Sequence, residues 1–113
     1  LVNYRSRCCL TGLSNPTLLV ASHIKPWNVA DPRTERLAPD NGLLLNALHD
    51  KAFDQGLITI TKDFKIVVSS VVGHGAAEDE FLWRYSGERI TLPKQSSPRP
   101  DFIEYHNDMV FKG

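Results

Sequence analysis

The chain has 113 residues and a mass of 12.7 kDa, the size of a single domain with one modest core. Its hydrophobic fraction of 42% and charged fraction of 23% exclude a disordered or collagen-like chain. No apolar run approaches the roughly 20 residues that a membrane span needs. Lys plus Arg and Asp plus Glu both number 13, so the net charge is zero. A strong free-standing nucleic-acid binder usually carries an excess of positive charge, so any such binding must use a few placed groups or another domain.

The start of the chain and its two cysteines indicate the setting. The chain begins at Leu1 rather than Met and has no apolar signal core, so we expect residues 1–113 to be one domain of a longer protein. Cys8 and Cys9 are adjacent, a spacing that cannot easily close a disulfide, and two thiols are too few for a four-cysteine zinc site. The sequence therefore predicts a reducing, cytoplasmic location with both cysteines as packing residues.

The periodicity and the turn signals predict an α+β fold with a small antiparallel core. In chain order, the first half is predicted to form the tail of a helix at 1–10, a strand at 18–21 that ends in Ser22 and His23, a loop at 28–40, a turn at Asn41-Gly42, a return strand at 43–45 and a helix at 46–54 that stops at Gly56. The second half is predicted to form a β-hairpin from 57–61 and 64–68, a helix at 78–85, an extended piece at 90–93 and a last helix from Asp101 to about Phe111.

Three polar residues fall at junctions of these elements: His23, Asn41 and His49. A hairpin packed on the helix that follows it would bring them to one cleft. One imidazole can take a proton from water near neutral pH, since its reference pKa is about 6.5. The other can bind a divalent metal, and the amide can fix a loop through hydrogen bonds to the backbone. The set is typical of metal-assisted hydrolysis.

The order and spacing of four motifs resemble the HNH endonucleases, and most of all the subgroup found in bacterial restriction-type proteins. The motifs are Cys9-x-x-Gly12, Ala21-Ser22-His23-Ile24-Lys25-Pro26-Trp27, Asn41-Gly42-Leu43-Leu44-Leu45 and His49-x-x-x-Phe53-Asp54-x-Gly56. The family fold is a ββα-metal finger, which agrees with the predicted order of strand, loop, strand and helix. The resemblance implies such a finger with an added β-hairpin and peripheral helices.

The resemblance also implies a metal-dependent phosphodiesterase acting on DNA that leaves a 5′-phosphate and a 3′-hydroxyl. His23 matches the family's general base, and Asn41 matches the residue that stabilises the loop and orients the base. His49 matches the helix histidine that binds the metal or the scissile phosphate. The alternative is that these residues have structural roles only: His23 as a hydrogen-bonded residue at a strand end, Asn41 as a turn former and His49 as a surface residue of the helix.

The metal ligands are where this chain departs from the family pattern. Ser22 stands where many relatives have Asp or His, and Phe53 stands where many have a second helix ligand. His49 and Asp54 are therefore the candidate metal ligands, with Asp54 returning to the site if the helix unwinds before Gly56. We expect activity with Mg²⁺ or Mn²⁺, with Ni²⁺ or Zn²⁺ left open because both accept imidazole readily.

Partners follow from charge and from the resemblance. Lys25, Arg33 and Arg36 are candidate DNA-phosphate contacts, although a solvated loop carries such charges anyway. Trp27 is interpreted as a packing anchor of the loop, with base stacking as the alternative. A target-recognition domain elsewhere in the full-length protein is expected, a homodimer is left open, and no membrane is involved. The alternatives are a non-catalytic nucleic-acid-binding module that has lost its metal site, and a structural or protein-interaction domain.

Overall fold

The computed structural model describes residues 4–113, and its first half is a hairpin followed directly by a helix. Strand β1 (Leu19–His23) pairs antiparallel with β2 (Gly42–Asn46), so that His23 lies opposite Gly42 and Leu19 opposite Asn46. Helix α1 (Ala47–Asp54) begins at the next residue, because the Asn46 side chain caps it by accepting a hydrogen bond from the backbone N–H of His49 at 3.0 Å. The predicted mixture of strands and helices in this order is confirmed.

The second half adds small elements around this unit. A second antiparallel hairpin is formed by β3 (Ile58–Ile60) and β4 (Ile66–Val68). Helix α2 (Ala76–Phe81) and a 3-10 turn (Trp83–Tyr85) replace the single helix predicted at 78–85. Helix α3 (Pro100–Tyr105) is followed by a π-helical turn (His106–Val110).

Two expectations about chain ends are wrong in detail. Asp101 does not cap the last helix, because the cap position is Arg99 and no side chain caps there. From Tyr4 to residue 10 the chain forms turns rather than a helix tail, and residues 1–3 lie outside the described part. Cys8 and Cys9 are buried and unpaired, and the Cys9 N–H donates to Leu44 O at 2.8 Å, which ties this segment to β2.

The core is built from the first hairpin, α1, the second hairpin and the last helix. Phe53 is 1% exposed, and the ring of His106 stacks on it with centroids 3.7 Å apart. His106 Nε2–H donates to Phe53 O at 2.8 Å, and its Nδ1 is 2.7 Å from Thr59 Oγ1. The position where many relatives carry a ligand is thus filled by a core side chain. No helix among residues 4–113 is long and apolar enough to cross a membrane.

Candidate active site

His23 lies half-buried at the loop end of β1 with a defined tautomer. Its Nε2 is 2.9 Å from the carbonyl oxygen of Arg36. Because a carbonyl only accepts hydrogen bonds, Nε2 carries the proton and Nδ1 holds a free lone pair. Within residues 4–113, no group forms a hydrogen bond to Nδ1. Every buried side-chain nitrogen in this range does have a hydrogen-bond partner, so Nδ1 is not buried and is accessible to solvent. This is the arrangement that a general base needs.

Asn41 is completely buried and joins the end of β1 to the loop. Its Oδ1 accepts from the Lys25 N–H at 2.8 Å, and its Nδ2 donates to Lys25 O at 3.2 Å and to Glu35 O at 3.3 Å. Glu35 precedes Arg36, whose carbonyl holds the His23 ring. Asn41 therefore fixes the Glu35–Arg36 peptide, which directly precedes the carbonyl that orients His23, and it ties this part of the loop to the backbone just after β1.

An open cavity of about 250 Å³ lies at this end of the hairpin. His23 and Asn41 both line it, and His49 does not. Its other walls come from β1, the loop and the start of β2, namely Ala21, Ser22, Trp27, Arg36, Leu37, Ala38 and Gly42. The structure thus brings together two of the three predicted site residues at one surface opening.

His49 has no free ring nitrogen. It is 3% exposed, its Nδ1 accepts from Asn46 Nδ2 at 2.7 Å, and its Nε2–H donates to Phe81 O at 2.6 Å. Tyr85 packs edge-on against the ring with centroids 5.4 Å apart. Burial lowers the pKa of His49, and the bond to Phe81 opposes that shift only in part. The ring is therefore neutral and fully engaged at neutral pH.

The predicted metal pair of His49 and Asp54 does not fit a divalent ion in this conformation. Asp54 is exposed at the end of α1, where Gln55 Nε2 donates to its Oδ2 at 3.2 Å. A metal ligand needs a lone pair, and both ring nitrogens of His49 are taken. Across residues 4–113, no group of three or more His, Cys, Asp or Glu side chains could hold a metal ion.

The three predicted phosphate contacts differ in their surroundings. Lys25 Nζ forms an ion pair with Glu35 at 2.8 Å and is largely covered, so its charge is already matched within the fold. Arg36 Nε donates to Trp27 O at 2.8 Å, and its guanidinium lies 4.9 Å from the centre of the Trp27 ring. Arg33 is exposed and forms no ion pair with any residue among 4–113.

Sequence reasoning missed the residues that support these side chains. Glu35 holds both Lys25 Nζ and the Asp31 N–H, at 2.8 and 2.7 Å. No local pattern marks it, because its partners depend on how the loop closes. Asn46 was detectable, since an Asn three residues before a histidine at a helix start is a capping pattern.

Residues 8–61 match the sequence pattern of a family described as HNH endonuclease. That match covers both strands of the first hairpin, the loop between them and α1, and it confirms the resemblance to the HNH endonucleases. Together with the site geometry, it supports a nuclease. No curated protein sequence matches the chain.

A solved structure described as "Modification dependent TagI restriction endonuclease" has a similar fold, with a TM-score of 0.65 at 17% sequence identity. The similarity covers 99% of this chain and 35% of that one, so the chain spans about a third of the length of that structure. The likeness therefore extends beyond the family match to the peripheral elements of the fold.

Proposed function

We propose that residues 1–113 are the catalytic domain of a DNA endonuclease built on a ββα-metal finger. The observation that carries the proposal is the imidazole of His23, whose Nε2–H is tied to Arg36 O while Nδ1 reaches solvent beside an open cavity. A histidine held in one tautomer at a surface opening is suited to activate water. The family match over residues 8–61 directs this chemistry to phosphodiester bonds.

The hydrolytic step uses the residues around the cavity. His23 Nδ1 takes a proton from water as the water oxygen attacks phosphorus, and the bond to the 3′-oxygen breaks as that oxygen takes a proton from solvent water. The ring becomes positively charged, and the hydrogen bond from Nε2–H to Arg36 O strengthens because its donor is now ionised. Asn41 is a positioning residue, since it holds the Glu35–Arg36 peptide in place. The products are a 5′-phosphate and a 3′-hydroxyl, as the resemblance implies.

The resemblance adds a requirement for a divalent metal, with Mg²⁺ or Mn²⁺ as the expected ion. His49 and Asp54 do not supply its site in this conformation, because both ring nitrogens of His49 are hydrogen-bonded within the fold. A metal ion can bind His49 Nε2 only after the hydrogen bond from this nitrogen to Phe81 O is broken.

DNA targeting is proposed to lie in another part of a longer protein. The zero net charge of this chain favours that division, as does the engagement of Lys25 by Glu35.

Nicking of supercoiled plasmid DNA tests the proposal. The purified chain is incubated with Mg²⁺, Mn²⁺, Ni²⁺ or Zn²⁺, and in excess EDTA, beside the variants His23→Ala and His74→Ala. His74 is an exposed histidine outside the site, so its variant controls for the general effect of removing a histidine, while loss of nicking in His23→Ala, purified in the same way, excludes a contaminating nuclease. We expect metal-dependent nicking that His23→Ala loses and His74→Ala keeps. Nicking by a folded His23→Ala protein contradicts the role of His23, and full activity in EDTA contradicts the metal requirement.

A non-catalytic nucleic-acid-binding module is the second candidate, and the engagement of both His49 nitrogens favours it. A module of this kind retards a DNA oligonucleotide in a gel but cuts it under none of the metal conditions. Retardation without cleavage by the wild-type chain would replace the first proposal with this one.

A further inference from the structure

Two large apolar side chains stand exposed beside His23. The side chains of Trp27 and Leu37 line the same cavity as His23, and they are 49% and 83% exposed. Exposed apolar residues that line a cavity together mark a binding surface more often than isolated ones do. The question is which chemical group they receive.

Trp27 is fixed in place before any ligand arrives. The edge-on contact with His23 sets its ring centroid 5.2 Å from that imidazole, and the Arg36 guanidinium lies over the ring at 4.9 Å. Its backbone oxygen accepts from Arg36 Nε at 2.8 Å, and the turn that follows is closed by Ala30 N–H donating to Pro26 O at 3.0 Å. A rigid aromatic of this kind binds a flat partner with little loss of side-chain entropy.

The charge around the cavity selects an anionic partner. Arg36 lines the cavity and Arg33 is exposed in the same loop, and neither forms an ion pair with a residue among 4–113. The carboxylate of Glu35 is turned inward to Lys25 Nζ. A flat apolar surface beside the Arg36 guanidinium, the charged group that lines the cavity, suits a nucleotide, whose base stacks while its phosphate is neutralised.

We propose that Trp27 and Leu37 hold the nucleobase adjacent to the scissile phosphate, with Trp27 as the stacking surface. The inference rests on the proposed function, because it places the reacting phosphate at His23 in the same cavity. Stacking on an aromatic side chain tolerates any base, so the contact selects position rather than sequence. Since the base must leave its own stack to reach Trp27, DNA that is single-stranded or mismatched at the cut is bound best.

A double-mutant cycle between protein and DNA tests the contact. Oligonucleotides carry either the normal nucleoside or an abasic site next to the mapped cleavage position, and single-turnover cleavage is measured with wild type, Trp27→Ala and Trp27→Phe. We expect the abasic site to slow wild type about 10-fold and Trp27→Ala to cost about the same. The two changes together are expected to cost no more than either alone, while Trp27→Phe stays within about threefold of wild type.

The outcomes separate this contact from other roles of Trp27. Losses that multiply overturn the proposal, because Trp27 then acts on His23 or on folding rather than on the base. The matched control is Leu48→Ala, which removes an apolar side chain of similar exposure (51%) outside the cavity, and we expect it to leave the abasic effect unchanged. If Trp27→Ala fails to fold, Leu37→Ala takes its place in the cycle.

A binding measurement keeps the proposal testable if the chain cuts nothing. In the Trp83→Phe background Trp27 is the single tryptophan, so its fluorescence reports the cavity directly. We expect a single-stranded oligonucleotide to quench it and the same strand made wholly abasic to quench it less. Equal quenching by both strands overturns the stacking contact, whereas absent cleavage alone overturns only the nuclease function.

Discussion

The two histidines of the first hairpin and its helix show how one residue type takes opposite states in a single small fold. His23 pairs with Gly42 at the loop end of the hairpin, and one of its ring nitrogens reaches solvent. His49 follows Asn46, which pairs with Leu19 at the other end, and both of its ring nitrogens are hydrogen-bonded in the interior. The surroundings decide which imidazole is available for proton transfer.

The difference comes from what covers each ring. The loop at 24–41 reaches His23 with the Arg36 carbonyl and with the edge-on ring of Trp27, and it leaves a cavity beside the imidazole. His49 has the same two kinds of neighbour, the Phe81 carbonyl and the edge-on Tyr85 ring, but in addition Asn46 Nδ2 donates a hydrogen bond to its Nδ1 at 2.7 Å. Chemistry that needs a free lone pair is therefore open at His23 and closed at His49.

The sharpest test of the comparison is the loss of His23. His23→Ala is expected to slow cleavage by about 10²- to 10⁴-fold, the usual contribution of a general base. Its single hydrogen bond is half-buried, so the free energy of unfolding should change by about 1 kcal/mol or less. Cleavage kinetics and urea unfolding on the same preparation check both. An inactive variant that is also strongly destabilised would not separate chemistry from folding, and His23→Gln then serves as the milder change.

The opposite pattern is expected at His49. His49→Ala removes a ring that is 3% exposed together with its hydrogen bonds to Phe81 O and Asn46 Nδ2, so we expect a loss of about 2–4 kcal/mol in unfolding free energy. His74→Ala is the matched control, because His74 pairs with Asp79 on an exposed surface and should cost about 1 kcal/mol or less. Equal stability of the two variants would show that the hydrogen bonds of the His49 ring contribute nothing to the free energy of unfolding.

Local patterns sufficed for the hairpin and for α1. The apolar run before His23 and the Gly56 stop are short-range signals, and the structure has β1 and the end of α1 there, whereas Asn41 ends a 3-10 turn (Pro39–Asn41) and Gly42 already belongs to β2 instead of forming a two-residue turn with it. The end of a strand and the start of its return must meet, so the proximity of His23 and Asn41 was also predictable.

Contacts between distant parts of the chain could not be predicted from such patterns. The carbonyl that closes His49 comes from Phe81, 32 residues later, and the ring that stacks on Phe53 comes from His106, 53 residues later. No turn signal or periodicity specifies these pairings. The metal role of His49 therefore stays a prediction that its hydrogen bonds in this conformation do not favour, while the general-base role of His23 stays a hypothesis that the geometry supports.

Acid should lower the free energy of unfolding through His106, whose ring stacks on Phe53 in the core. Burial lowers the pKa of His106 from 6.5 to about 4, although the charge of Asp54 opposes the shift. Between these pH values the unfolded chain binds a proton that the folded chain does not, so stability is full above about pH 6.5 and falls toward pH 4. The expected loss is on the order of 3 kcal/mol.

Urea midpoints measured from pH 7.5 to pH 4 check this, with His106→Gln as the comparison. The lowered pKa of His49 acts in the same direction, so His106→Gln should flatten the pH dependence without abolishing it. An unchanged slope in the variant would mean that another group controls acid stability.

The smallest expected effect concerns the salt dependence of DNA affinity at the loop beside His23. If Lys25, Arg33 and Arg36 all met phosphates, the logarithm of affinity would fall against the logarithm of salt with a slope near −2.7, at about 0.9 per contact. Lys25 is already paired with Glu35 at 2.8 Å, whereas Arg33 is exposed and forms no ion pair with a described residue. Arg33→Ala should therefore reduce the slope by about 0.9, and Lys25→Ala should reduce it by less.

Fluorescence-anisotropy titrations of a labelled duplex at several salt concentrations measure both slopes. Arg5→Ala is the charge-matched control, because Arg5 is an exposed arginine outside the cavity. A larger reduction for Lys25 than for Arg33 would show that DNA displaces Glu35, and the loop would then rearrange on binding instead of presenting a preformed surface.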